Sequence, residues 1–351
     1  MTFIRKPNVI HPRSPRNELG LTIRDYEGGM STLCAGCGHD SVTGAIVQAA
    51  FELSLPPHRV AKMSGIGCSS KTPAYFLRQS HGFNTVHGRM PSVVTGANAA
   101  NSDLTYIGVS GDGDSLSIGL GQFCHAIRRN VNMLYVIENN GVYGLTKGQF
   151  SASADIGSTA KKGEANLQPP IDPCRMAISM GAAFVARSFS GDKEQLVPLL
   201  KGGLSHRGFT VIDVISPCVT FNDHEGSTKS YEYTRQHFHP ATATDYIQPS
   251  KEILAQYDEG QALPVSLHDG SQIVLRKVDH DYDPTDRAFV YSFLERHQMA
   301  GEIVTGLLYY DDSQQEMHDL SKIVDRPLSS IDYKDLCPGQ SVLQNLQNSF
   351  R

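Results

Sequence analysis

Between residues 40 and 216 the chain alternates short β-branched, apolar runs with amphipathic segments, and this alternation limits its folds more than any other feature. The segments are 40-DSVTGAIVQAAFEL-53, 58-HRVAKMS-64, 92-SVVTGANAA-100, 104-LTYIGVS-110, 116-LSIGLGQFCHAIRRN-130, 132-NMLYVIE-138, 182-AAFVAR-187, 192-DKEQLVPLLKGGLSHRG-208 and 209-FTVIDVIS-216. Continuous apolar strands must be buried on both faces, and crossover helices between them do the burying. The expected fold class is α/β, a doubly wound parallel sheet. A chain of 351 residues, 40% hydrophobic, suffices for one such core with an appendage.

From Phe221 onward the composition turns polar and rich in His, Tyr and Asp, and only 286-DRAFVYSFLERHQMAGEIVTGLLYY-310 has helical periodicity. The expected organisation is an N-terminal arm at 1–30, a core domain at 31–225 and a C-terminal extension at 226–351. A net charge of -5 leaves no basic footprint for nucleic acid. The first residues lack the apolar run of a signal peptide, and no stretch of about 18 apolar residues offers a membrane span. The expectation is a soluble, cytoplasmic protein.

Two strands of this pattern, Tyr106–Val109 and Met133–Ile137, each end in glycines, acids and amides: 110-SGDGDSLSIG-119 and 139-NNGVYGLTKGQ-149. In an open parallel sheet ligands bind at the carboxyl ends of the strands, where helix N-termini favour phosphate. Gly111 and Gly113 let the backbone approach a phosphate, and Asp112 is a hard oxygen ligand suited to magnesium. The second strand end adds Asn139 and Asn140, and an amide oxygen and a main-chain carbonyl from there could share the same ion. A lone GDG also occurs in ordinary loops; the pairing of two such strand ends is the stronger signal.

Seven cysteines form an odd set. In a chain without an export signal they suggest metal ligands or buried thiols more than a disulfide framework. Cys34 and Cys37 form a CxxC in 33-LCAGCGHDS-41, while 65-GIGCSSKTPAY-75 and 215-ISPCVTFND-223 add Cys68 and Cys218 beside glycine or proline. Four thiolates from three loops could hold a [4Fe-4S] cluster, although a tetrahedral Cys₄ set is also a zinc signature. Cys124, Cys174 and Cys337 fit no partner pattern.

GDG, a spacer of 26 residues and Asn140 together resemble the thiamine diphosphate motif. The ordered set CAGCGH, GIGCSS, HGR at 87–89, GDGDSLSIG, NNGVYGLTKGQ and SPCVTFN, covering about residues 30 to 225, resembles the β subunits of 2-oxoacid:ferredoxin oxidoreductases. The resemblance implies a sheet of the thiamine diphosphate-binding type. It implies magnesium on Asp112, Asn140 and the Val142 carbonyl, and a [4Fe-4S] cluster on Cys34, Cys37, Cys68 and Cys218. Ile66, Gly67, Cys68, Ser69, His87, Gly88, Gly111, Asp112, Gly113, Asp114, Asn140, Val142, Gly144, Leu145 and Thr146 are implied to line the thiamine diphosphate. His39 and His87 are the candidate catalytic residues, and either could instead be a buried, hydrogen-bonded histidine.

The implied activity is coenzyme A-dependent oxidative decarboxylation of a 2-oxoacid, with electrons passed through the cluster to ferredoxin and reversal giving carbon dioxide fixation. GDGDSLSIG and IGCSSKTPAY resemble the 2-oxoglutarate group more than the pyruvate group, so succinyl-CoA is the expected product and pyruvate or a branched 2-oxoacid the competing substrate. Lys71 and Arg89 could meet a second substrate carboxylate, or bind diphosphate, or be merely solvated. A non-redox thiamine enzyme, or a nucleotide-binding module with structural zinc, would keep part of the pattern. The acid that activates the aminopyrimidine ring has no candidate here, because too little apolar patterned sequence follows residue 225 for a second sheet. The resemblance therefore implies an α subunit and an (αβ)2 assembly.

Overall fold

The computed structural model describes residues 10–158, 165–219, 252–267 and 272–351. The expected boundary between 225 and 226, and residues 220–223 of the SPCVTFND stretch, lie outside them.

The strands are β1 (Val60–Ser64), β2 (His81–Asn84), β3 (Thr105–Gly111), β4 (Met133–Asn139), the short pair β5 (Val142–Tyr143) and β6 (Gln149–Phe150), β7 (Phe184–Phe189), β8 (Phe209–Ile215), β9 (Ala262–Ser266), β10 (Gln272–Lys277) and β11 (Glu302–Tyr310). Among the described residues nine of them form one sheet in the order β2-β1-β3-β4-β8-β7-β11-β10-β9. The six strands from β2 to β7 are all parallel. The chain leaves β1 for β2 on one side and returns to β3 on the other, so the order reverses beside β1. The loops after β1 and β3 border that crevice, where an open α/β sheet places its ligand.

The helices are α1 (Gly38–Glu52), α2 (Met90–Ala100), α3 (Leu120–Arg128), α4 (Pro173–Ser179), α5 (Lys193–Ser205) and α6 (Arg287–Met299), followed by short C-terminal ones. Because successive strand residues point to opposite faces, β4 feeds two cores at once. Met133, Tyr135 and Ile137 join Phe123, Ile127, Cys174, Ile178 and Phe293 on one face. Leu134 and Val136 join Val42, Ile46, Leu196 and Leu200 on the other. Each such apolar side chain, fully buried, contributes about 1.5–3 kcal/mol of transfer free energy.

The periodicity of 286–310 is helical only as far as Met299; after Gly301, whose φ is +76°, the chain turns into the β-strand Glu302–Tyr310. Its β-branched Ile303, Val304 and Thr305 suit a strand, and burial between two neighbours settles the matter. β11 pairs antiparallel with β7 and parallel with β10, so the residues after 260 extend the core sheet instead of forming another. No described helix is long and apolar enough to cross a membrane.

Candidate functional site

Strand β3 runs out into Gly111 and Asp112, and residues 113–118 form a wide helical turn ahead of α3. Asp112 is buried at this start. Its Oδ2 accepts hydrogen bonds from the hydroxyls of Ser151 and Ser153, and its Oδ1 faces the Asn140 N–H at 3.5 Å. Burial raises its carboxyl pKa, and the serine hydroxyls act against that rise. The Asn140 side-chain oxygen accepts from Val142 N–H at 3.1 Å, folding residues 140–142 into a tight turn with Gly141 at φ +73°. Asp112, Asn140 and Val142 are thus brought together at adjacent strand ends, as the pairing of motifs suggested. Ser151 and Ser153 were not singled out from sequence, since 150-FSASAD-155 carries no pattern that separates them from other loop serines.

The last residues of β4 divide between the two faces. Asn139 donates to Asp213 at 3.0 Å and accepts from Ser153 at 3.0 Å on the Asp112 side. Glu138, fully buried, goes the other way: Thr72 Oγ1 lies 3.0 Å from both its oxygens, and His39 Nδ1 lies 3.6 Å from it. Burial holds its carboxyl pKa well above the ordinary range. His39 shares a 2.6 Å hydrogen bond with Ser216 Oγ and is buried, which lowers its pKa to about 4. At neutral pH this ring is uncharged.

On that same side lie the four cysteines of the three loops. Cys37 N–H donates to Cys34 O at 3.0 Å across a turn with Gly36 at φ +82°, and Gly38 N–H donates to Pro217 O at 3.3 Å, which joins the CxxC to the loop of Cys218. A Cβ added at Gly144 would sit 3.4 Å from Cys218 Sγ and 3.6 Å from Cys68 Sγ, so those sulfurs stand within about 7 Å of each other around a space that only a glycine leaves open. Burial, and then the neighbouring Cys218 sulfur, raise the Cys34 and Cys68 pKa values, and the Cys37 thiol is raised by burial with Glu138 and Cys218 adding to it. Among the described residues no three His, Cys, Asp or Glu close on a single ion. Cys124 and Cys174 sit in α3 and α4, and Cys337 is exposed, all away from this group.

Three loop features fit a diphosphate. Ser69 Oγ is buried without a hydrogen-bond partner, a cost that a ligand oxygen would remove. Gly67, at φ +115°, and Gly111 flank it closely: a Cβ at Gly111 would lie only 3.1 Å from Ser69 Oγ, so glycine there keeps the hydroxyl accessible. Gly113 is different: a Cβ there would meet the Tyr143 ring at 2.6 Å, so it serves packing beneath Tyr143, whose hydroxyl donates to Gly113 O at 2.9 Å. Leu145 and Thr146 are exposed beyond it. Asp114 is buried and spans loops: it accepts from Ile66 N–H, Gly88 N–H and Ser110 Oγ, and contacts His87 Nδ1. Gly65, part of the GIGC run, is the residue that allows this, since a Cβ there would lie 1.8 Å from Asp114 Oδ2.

A parallel sheet whose adjacent strand ends present a hard carboxylate, an amide turn and a glycine cradle defines a thiamine diphosphate-binding domain. Residues 65–214 match the family described as thiamine pyrophosphate enzyme, C-terminal TPP binding domain. Over 191 residues the chain is 43% identical to a 2-oxoacid:ferredoxin oxidoreductase subunit beta of Saccharolobus solfataricus, covering 54% of this chain and 63% of that relative. It is 37% identical over 189 residues to the 2-oxoglutarate synthase subunit KorB of Methanocaldococcus jannaschii, covering 54% of this chain and 69% of the relative. In three dimensions it is similar to 2-oxoglutarate:ferredoxin oxidoreductase from Magnetococcus marinus, solved with 2-oxoglutarate, coenzyme A and succinyl-CoA bound, with a TM-score of 0.68, 30% identity, and coverage of 86% of this chain and 89% of that one. The chain belongs to the family of 2-oxoacid:ferredoxin oxidoreductase β subunits. The match to the Saccharolobus subunit spans just under two thirds of that relative's length.

Proposed function

We propose that the chain is the β subunit of a 2-oxoglutarate:ferredoxin oxidoreductase, which converts 2-oxoglutarate and coenzyme A to succinyl-CoA and carbon dioxide with electrons leaving to ferredoxin, and which can run in reverse as carbon dioxide fixation. One observation carries this reading: Cys68 and Cys218, from two different loops, converge on Gly144, and Cys68 shares the loop of residues 65–69 with a diphosphate cradle. A thiamine site alone would suit a non-redox decarboxylase, and cysteines alone would suit structural zinc. Thiamine diphosphate supplies the carbanion chemistry that releases carbon dioxide from a 2-oxoacid, and an iron–sulfur cluster takes up electrons one at a time.

The residues divide the work. Asp112, Asn140 and the Val142 carbonyl would hold magnesium against the diphosphate, with Ser151 and Ser153 orienting the carboxylate. Ile66, Gly67, Ser69, Gly111 and Gly144 would admit the phosphates and the thiazolium side, and Cys34, Cys37, Cys68 and Cys218 would bind a [4Fe-4S] cluster. His39, buried against Ser216, supports the cysteine loops, while the half-exposed His87 faces the substrate side. The choice of 2-oxoglutarate rests on the GDGDSLSIG and IGCSSKTPAY stretches and on the names of the relatives.

Purification without oxygen tests the redox part: the protein should be brown, with broad visible absorption from thiolate-bound iron. Colourless protein carrying one zinc would leave the non-redox reading. With its α subunit, turnover should be fastest on 2-oxoglutarate; faster turnover of pyruvate or a branched 2-oxoacid would reassign the substrate.

A further inference from the structure

We propose that Asp114 is a positioning residue instead of a cofactor ligand, holding His87 as the tautomer with hydrogen on Nδ1 so that Nε2 is the nitrogen offered to the 2-oxoacid. This rests on the reading of the site as a 2-oxoacid site.

The argument starts from donors. Asp114 Oδ1 accepts from two main-chain N–H groups, Ile66 at 3.2 Å and Gly88 at 2.7 Å, and these can only donate. Oδ2 accepts the Ser110 hydroxyl at 2.6 Å. All of these donors belong to the protein, so the carboxyl is turned inward to the loops of Ile66, Gly88 and Ser110. His87 Nδ1 touches the same Oδ1, and an oxygen already accepting two N–H bonds takes a third donor, not a second acceptor. Nδ1 therefore carries the proton. Asp114 is 1% exposed at its side chain and His87 34%, so the ring edge turned outward is the one bearing Nε2. Tyr143 stands edge-on to the ring at 6.1 Å and limits its swing. The tether also binds the loop of Cys68, through Ile66, to the loop of His87. A carboxylate fixing an imidazole through Nδ1 so that Nε2 meets the reacting molecule is the division of labour in serine hydrolase triads, where replacing the acid by its amide reverses the tautomer without moving the ring.

The test is a cycle of Asp114→Asn, His87→Gln and the double variant, each assembled with the α subunit and assayed on 2-oxoglutarate with iron and thiamine contents measured alongside. His87→Gln and Asp114→Asn should each lower kcat/KM by about 100-fold, and the double variant should fall within about twofold of His87→Gln alone. Losses that multiply would mean Asp114 acts apart from His87 and would overturn the proposal. The chain itself gives a second measurement: with ¹⁵N-labelled histidine, assigned by difference from His87→Gln, Nδ1 of His87 should resonate as a protonated, pyrrole-type nitrogen. A pyridine-type Nδ1 in the wild type overturns the proposal even where Asp114→Asn fails to fold. If the wild-type complex oxidises no 2-oxoacid the functional reading fails, and the nitrogen shift still decides the tautomer.

Discussion

At Asp112 the chemistry of the site comes down to one oxygen. Oδ2 is occupied by two serine hydroxyls, while Oδ1 points toward the Asn140–Val142 turn, where the Asn140 N–H approaches it at 3.5 Å. Asp112→Ala should therefore weaken thiamine diphosphate retention by about 100-fold or more and leave iron content unchanged, because the cysteines lie across β4 on the Glu138 side. Cofactor and iron analysis of the same sample checks both halves. His39 offers a pH test with a definite sign. Its folded pKa is about 4 against an ordinary 6.5, so the unfolded chain takes up the proton first. Folding stability should be full above about pH 6.5 and fall by ~1.4 kcal/mol per unit as the pH drops toward 4. Denaturant melts of the iron-free chain at several pH values should show this slope, and His39→Gln should flatten it. An equal slope in both proteins would mean other groups govern acid stability.

At the level of elements, β11 closes the polar edge that β7 would otherwise present. It runs beside β7 through Gly306–Tyr310, with Val304 and Leu308 buried in the same core as Tyr135 and Val185. Removing residues 252–351 should strip a strand from β7, expose its backbone N–H and C=O groups, and yield aggregated protein. Removing only 331–351 should leave solubility unaltered and the melting temperature within about 2 °C, because the helix Gly339–Asn348 buries no residue. Size-exclusion chromatography and thermal melts of the two truncations distinguish a sheet extension from a dispensable tail.

On the scale of the molecule, one nine-stranded sheet among the described residues carries the strand ends of the candidate diphosphate site. Ylid formation needs an acid hydrogen-bonded to the aminopyrimidine ring, and Glu138 is not available for it, being sealed against Thr72 and His39 on the cysteine side. On the proposed function that acid would come from an α subunit. The isolated chain should show no 2-oxoacid-dependent ferredoxin reduction, and adding the α subunit should restore it, with an (αβ)2 mass by light scattering. Full turnover by the chain alone would place the acid within it.

Much of this was legible before any fold was known. The alternation from residue 40 to 216 dictates a buried parallel sheet, since each apolar run needs cover on both faces, and GDG with Asn140 marks two strand ends that a parallel sheet must bring to the same edge. Local chemistry is the guide there: glycine where backbone could approach a ligand, aspartate where a hard ion could sit. Other features have no local signature. The strand Glu302–Tyr310 continues a helical apolar pattern and becomes β only because β7 and β10 flank it. Ser151 and Ser153 matter through a contact 39 to 41 residues away in sequence. Asp114 reads in GDGD as one more phosphate-loop acid, and only the folded chain turns it inward to Ile66, Gly88 and His87. Composition and spacing determine which groups can bind; the direction a buried carboxylate faces depends on which donors the packed loops bring to it.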